Sequence, residues 1–90
     1  MTYKNEMDVR PLLNERGRTH GDFLRNAVIS QTLKKYIREM SEHTDLKPEH
    51  KESLDMICLK ISRILSGHAN FKDHWDDIAG YAKLGSDACG

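Results

Sequence analysis

The stretch ESLDMICLKISRILSGHANFKDHWDDIAGY, residues 52–81, decides the fold of this 90-residue chain. Its first half places apolar residues three and four positions apart, which is the spacing of an amphipathic helix. Gly67 then stands where that helix should end, because glycine readily adopts the left-handed conformation that closes many helices. A second helical pattern begins near Asp73. The stretch therefore predicts two helices joined by a short loop.

The first of these helices is predicted to begin at Pro48, run to about Ser66 and be apolar on two sides. Met56 and Leu59 lie opposite its main apolar stripe. That stripe consists of Leu54, Ile57, Cys58, Ile61, Ile64 and Leu65. A helix that is apolar on two sides is usually buried on two sides. We expect the second side to pack on another helix or on another subunit.

Two more helices are predicted upstream. Asp8 can cap a short helix over residues 9–16, and Thr19 with Asp22 has the spacing of a capping box. A helix over about residues 21–40 should follow, because its apolar residues recur at steps of three and four. The fold class predicted is all-α: one compact bundle of about four helices over residues 1–90. Residues 1–7 and 85–90 are expected to be flexible ends.

Composition narrows the classes of function. A chain of 90 residues buries a modest core, so we expect homo-oligomerisation to complete the bundle. The formal net charge is zero, which gives no global attraction to a nucleic acid duplex or a membrane. No apolar run approaches the length of about 20 residues that a membrane span needs. The two cysteines form no disulfide framework, which favours a cytoplasmic protein.

Acidic pairs are the most informative polar feature. Glu52 and Asp55 lie three positions apart on one predicted helix, and Asp73 and Asp76 repeat that spacing on the next, with Asp77 adjacent. Antiparallel helices could bring such carboxylates together around Mg²⁺, which favours oxygen ligands. Negative charge in the first turn of a helix also suits the helix dipole, so surface charge is the simpler explanation of each pair alone.

Two cations share the stretch with these acids. Lys60 and Arg63 could hold phosphate oxygens, with Arg63 doing so through two parallel hydrogen bonds. Carboxylates for a metal, cations for charge and an attacking water are the parts of a metal-assisted phosphoanhydride site. The alternative is a set of salt bridges between subunits, because unpaired charge is costly to bury.

The remaining candidates are isolated polar or aromatic residues. Arg16 and His20 precede the second helix, where His20 could be a base, a phosphate contact or an ordinary loop residue. Trp75 could stack on a base, but a single aromatic at helical spacing is more often part of a core. His74 could contact a ligand, or bind zinc with His68 and Asp73, although no spacing supports zinc.

Three segments carry a resemblance to a known family. ERGRTHGDF (15–23), LDMICLKISRILSG (54–67) and DHWDDIAGYAKL (73–84) resemble small phage and prophage proteins of unknown function. That family is in turn similar, more distantly, to MazG-type all-α nucleotide pyrophosphohydrolases, which bind Mg²⁺ through an ExxE pair and an ExxD pair. Glu52-x-x-Asp55 and Asp73-x-x-Asp76 have comparable spacing. If Asp77 takes the place of the final Asp, His74 occupies the position of the preceding Glu.

These observations predict a protein that binds a nucleotide or nucleotide-derived phosphate ligand between helices or subunits. As a Mg²⁺-dependent pyrophosphohydrolase, it would use Glu52 and Asp77 in catalysis and Asp55, Asp73 and Asp77 as metal ligands. The ligand contacts would be Arg16, His20, Lys60, Arg63, His74 and Trp75. One alternative is non-catalytic sequestration of a nucleotide immune signal in the cytoplasm of a phage host. Another is a module that binds a host protein through Met56 and Leu59.

Overall fold

The computed structural model describes residues 22–90, and this part of the chain folds into three α-helices with no strand. Helix α1 spans Phe23–Met40, α2 spans Pro48–Leu65 and α3 spans Lys72–Asp87. The all-α prediction is therefore confirmed for the described residues. The predicted helix over residues 9–16 lies outside them, so a count of four helices is not established.

Helix α1 begins one residue after its cap. The Asp22 side chain accepts a hydrogen bond from the Arg25 backbone N–H at 3.0 Å, which satisfies a donor that a helix start leaves open. We expected Asp22 inside the helix, as the acidic member of a capping box with Thr19. That prediction is wrong, because Asp22 has an extended backbone and is itself the cap.

Helix α2 matches its predicted bounds closely. Pro48 occupies the first helical position, where its missing N–H costs nothing, and Lys47 makes no side-chain capping bond. After the last turn, Gly67 adopts a φ of 106°. A side chain would strain the backbone there, so glycine ends the helix as predicted.

Helix α3 is longer than the pattern indicated. It continues to Asp87, so the tail expected from Gly85 onward is helical for three more residues. Gly85 lies against α2, where a Cβ added to it would come within 3.6 Å of Ser53. The residues beyond the helix are also held, because Lys47 Nζ donates to the Ala88 carbonyl at 2.7 Å.

Helix α2 is the central element, because both α1 and α3 pack against it. Ser53 and Lys60 lie on its α3 side, where they contact Gly85 and Asp77. Cys58 lies toward α1, since the charge of Lys34 acts on its thiol. Met56 and Leu59, on the second apolar side, are half-buried, and the packing of that side on another helix or subunit stays a prediction.

Small and polar side chains make up the buried interior of the described residues. Cys58 is the one hydrophobic residue that is fully buried. The other buried residues are Asn26, Ser30, Ser53, Ser62 and His74. Eight large apolar residues are instead more than half exposed: Phe23, Leu24, Val28, Tyr36, Met40, Leu65, Trp75 and Leu84. The helices thus approach through small residues and leave much apolar surface outside.

No helix of residues 22–90 is both long and apolar enough to cross a bilayer.

Candidate functional site

An ion pair joins the middle of α2 to the first half of α3. Lys60 Nζ lies 2.7 Å from Asp77 Oδ2. The lysine side chain is only 12% exposed, whereas the aspartate side chain is 45% exposed. The pair is therefore asymmetric: its cation is mostly covered by protein and its carboxylate faces solvent.

Two further residues act on the same carboxylate. The hydrogen bond from Lys60 holds the pKa of Asp77 below its ordinary value, and the charges of Lys60, His74 and Arg63 add to that effect. Partial desolvation of the carboxylate opposes them. Arg63 lies nearly one turn beyond Lys60 on α2, and His74 lies one turn before Asp77 on α3.

His74 is the most deeply placed member of this group. Its side chain is 1% exposed, and its ring meets the Phe71 ring edge-on at 4.8 Å between centroids. The His74 backbone N–H donates to the Phe71 carbonyl at 3.1 Å, which ties the residue to the start of α3. We call Lys60, Arg63, His74 and Asp77 the α2–α3 charge cluster.

The other acidic residues of α3 do not join this cluster. Asp76 pairs with Lys72 at 2.6 Å on the exposed side of the same helix, and Asp73 is exposed in the first turn. Both fit the simpler interpretation given above, in which negative charge suits a helix N-terminus. Neighbouring residues point about 100° apart on a helix, so only one of Asp76 and Asp77 can face α2. The sequence spacing did not show which of the two it would be.

The predicted acidic residues of α2 also lie apart from the α2–α3 charge cluster. Glu52 is exposed, and Asp55 is half-buried on another side of the helix. Five positions separate Asp55 from Lys60, which is about 140° around an α-helix. Asp55 therefore does not share a side with the Lys60–Asp77 pair. It acts on Cys58, whose thiol pKa is raised first by burial and then by the Asp55 charge.

Across residues 22–90, no three His, Cys, Asp or Glu side chains form a group that could hold a metal ion. The predicted metal ligands Asp55, Asp73 and Asp77 are not brought together in this part of the chain. Arg16 and His20, predicted as ligand contacts, lie outside the described residues.

Trp75 is 54% exposed, so the interpretation of this residue as core is wrong. Its indole Nε1 donates to the Ala69 carbonyl at 2.8 Å, which ties α3 to the loop before it. One ring edge is thereby occupied, while much of the side chain remains accessible.

The structure also contains a groove of about 310 Å³ that the sequence patterns did not predict. It lies where the loop of residues 41–47 joins α1 to α2, and its lining residues are Ile37, Arg38, Ser41, Leu46, Lys51, Leu54 and Asp55. The sequence nevertheless contains a feature that indicates this groove. In a helical hairpin, residues at similar distances from the loop become neighbours, which brings Arg38 close to Lys51.

Comparison with known proteins identifies the class to which the chain belongs. Residues 8–89 match the model of a family described as Domain of unknown function (DUF6378), and the chain belongs to this family. No curated protein and no solved structure matches it. The expectation of a family of unknown function is confirmed.

Proposed function

We propose that the protein binds the phosphate group of a nucleotide or nucleotide-derived ligand at the α2–α3 charge cluster. The observation that carries this proposal is the Lys60–Asp77 ion pair, with its mostly buried lysine side chain and half-exposed aspartate side chain. The charges of Arg63 and His74 act on the same carboxylate. Three side chains that can carry positive charge thus act on one acid, which leaves the cluster net cationic.

Such a cluster can hold a phosphate group. A phosphate monoester carries about −1.5 to −2 charge at neutral pH and accepts several hydrogen bonds. Arg63 can meet it with a planar fork of donors, and Lys60 can meet it with a compact ammonium group. The half-exposed Asp77 is the group that an incoming phosphate would replace as the partner of Lys60.

We propose binding in preference to hydrolysis. The carboxylates expected to hold Mg²⁺ do not fit that role in the described residues, because Asp77 is paired with Lys60 while Asp55 and Asp73 lie apart from it. The resemblance to phage proteins supports sequestration of a nucleotide immune signal as the role, with the host cytoplasm as its compartment.

A thermal-shift screen of nucleotides and cyclic nucleotide signals, with and without Mg²⁺, tests this function. At least one ligand should raise the melting temperature, and that ligand should be recovered intact after heat denaturation. The gain should disappear in the double variant K60M/R63A. Removal of an equal charge in K72A/K83A is the matched control, because these lysines form exposed pairs within α3.

Two outcomes would decide against the proposal. A flat response across the whole panel would remove nucleotide binding altogether. Release of pyrophosphate that depends on Mg²⁺ and disappears in Asp77→Ala would replace sequestration with pyrophosphohydrolase activity.

We further propose that the protein forms a homo-oligomer. Apolar residues at i, i+4, i+7 and i+11 make one stripe along α1, and two of them, Tyr36 and Met40, are 57% and 77% exposed. A second apolar surface is a groove of about 300 Å³ between α2 and α3, with Leu54, Ile57 and Tyr81 in its lining. Apolar surface of this extent is typical of interaction sites. A host protein is the alternative partner.

A further inference from the structure

The groove between the ends of α1 and α2 is lined by half-buried apolar side chains, which we call its floor, and by charged side chains, which we call its rim. Ile37, Leu46 and Leu54 provide the floor, and Ser41 adds a hydroxyl group that donates to the Arg38 carbonyl at 3.1 Å. Its volume of about 310 Å³ is at the lower end of the range for small-molecule sites, which are mostly apolar with few polar groups.

The rim carries two cations and one acid, namely Arg38, Lys51 and Asp55. Among residues 22–90, the ion pairs and side-chain hydrogen bonds involve other residues and leave these three charged groups unpaired. Lys72 and Lys83 show the contrast, since each is paired with an acid one turn away. Asp55 is half-buried, which makes its carboxylate the costliest of the three to leave without a partner.

From this geometry we propose that the groove binds a small carboxylate that has an apolar body. Arg38 and Lys51 hold the carboxylate, the first through two parallel hydrogen bonds. The apolar body covers Ile37, Leu46 and Leu54.

Charge selects the carboxylate over a phosphate. Two cations and one acid give the rim a net charge of about +1, which one negative charge neutralises. A phosphate monoester brings about −1.5 to −2 and would be repelled by Asp55 at close range. This site is distinct from the α2–α3 charge cluster, because Lys60 faces α3 whereas the groove opens between α1 and α2.

Titration of the full chain with 3-phenylpropionate, followed by ¹⁵N–¹H NMR, tests the inference. Backbone shifts should concentrate at residues 37–41 and 46–55. The neutral analogue 3-phenylpropanol should bind about ten-fold or more weakly, since it loses charged hydrogen bonds. The variant R38A/K51A should weaken 3-phenylpropionate by a similar factor. The variant R25A/K35A, which removes two exposed cations of α1 outside the groove, should not.

A second variant tests the charge argument without disturbing the cations. Asp55→Asn should improve the binding of phenyl phosphate relative to 3-phenylpropionate, because the repelling carboxylate is gone. Equal binding of the alcohol and the acid, shifts outside the groove, or no shifts at all would each overturn the inference. Loss of nucleotide binding in K60M/R63A would not affect it, so the two proposals fail separately.

Discussion

The stability of the Lys60–Asp77 ion pair depends on both of its partners. Lys60 is mostly covered by protein, so its ammonium group depends on Asp77 to balance the cost of leaving water. Removal of the acid leaves the Lys60 cation without its partner, whereas removal of both charges leaves no ion to be compensated. We therefore expect Asp77→Asn to lower the melting temperature more than the double variant K60M/D77N does, in a two-by-two comparison by calorimetry.

The same pair has a pH dependence with a definite sign. The pKa of Asp77 is lower in the folded protein than in the unfolded chain, so the stability it contributes is fully present above the unfolded value of about 3.9. That contribution is lost as the pH falls through the lower folded value. The gap in melting temperature between the native protein and Asp77→Asn should be full at pH 6 and shrink steadily below about pH 4. A gap that stays constant down to pH 2 would contradict the assignment.

Asp22 is a second position where the structure changed the interpretation of a single residue. Because its side chain caps α1, Asp22→Ala should cost about 1 kcal/mol in the free energy of unfolding. Asp22→Ser keeps an oxygen in place and should cost only a small part of that. Urea denaturation of both variants measures the difference, and equal stabilities would show that the cap bond contributes nothing.

At the scale of the helices, the two glycines of α3 have different surroundings. A Cβ added at Gly80 would meet nothing within 4 Å. The close approach is at Gly85, against Ser53 of α2. Helical spacing shows which residues share a side of α3, but the packing of α3 on α2 decides which glycine is covered.

Substitutions at these two glycines should change the stability in opposite directions. Gly80→Ala should stabilise the protein by about 0.5–1 kcal/mol, because alanine loses less backbone freedom in a helix and has room here. Gly85→Leu should destabilise it, because a large side chain would force α3 away from Ser53. Thermal unfolding of the two variants gives shifts of opposite sign if the helices pack as described. A destabilised Gly80→Ala would contradict this arrangement.

At the scale of the whole molecule, the main feature is apolar surface outside and small residues inside. Trp75, the sole tryptophan of the chain, is 54% exposed and is one of these outward-facing apolar residues. If the protein forms a homo-oligomer, sedimentation equilibrium should show a mass above 10.4 kDa that falls on dilution or in the variant Y36E/M40E. Loss of apolar burial between copies is the reason. A 10.4 kDa species at all concentrations would refute self-association.

Much of the fold followed from local rules. Pro48 and Gly67 marked the ends of α2, and the steps of three and four located all three described helices. These features act within one or two turns, so sequence spacing suffices to find them. The end of α3 was missed because Gly85, Ser86 and Asp87 have no apolar pattern. This end of the helix is held by residues far earlier in the chain, since His50 Nε2 lies 3.1 Å from the Gly85 carbonyl oxygen and Lys47 Nζ donates to the Ala88 carbonyl.

Some features of the candidate site also follow from the sequence, and others follow only from the tertiary structure. The sequence alone determined an all-α chain, its helix boundaries to within a few residues, and a stretch in which acids and cations are concentrated. Only the tertiary structure decided that Lys60 pairs with Asp77, that Asp55 faces a different groove beside Arg38 and Lys51, and that Trp75 is exposed. The physical reason is that periodicity sets the direction of a side chain relative to its own helix. The packing of that helix against its neighbours decides which partner the side chain meets.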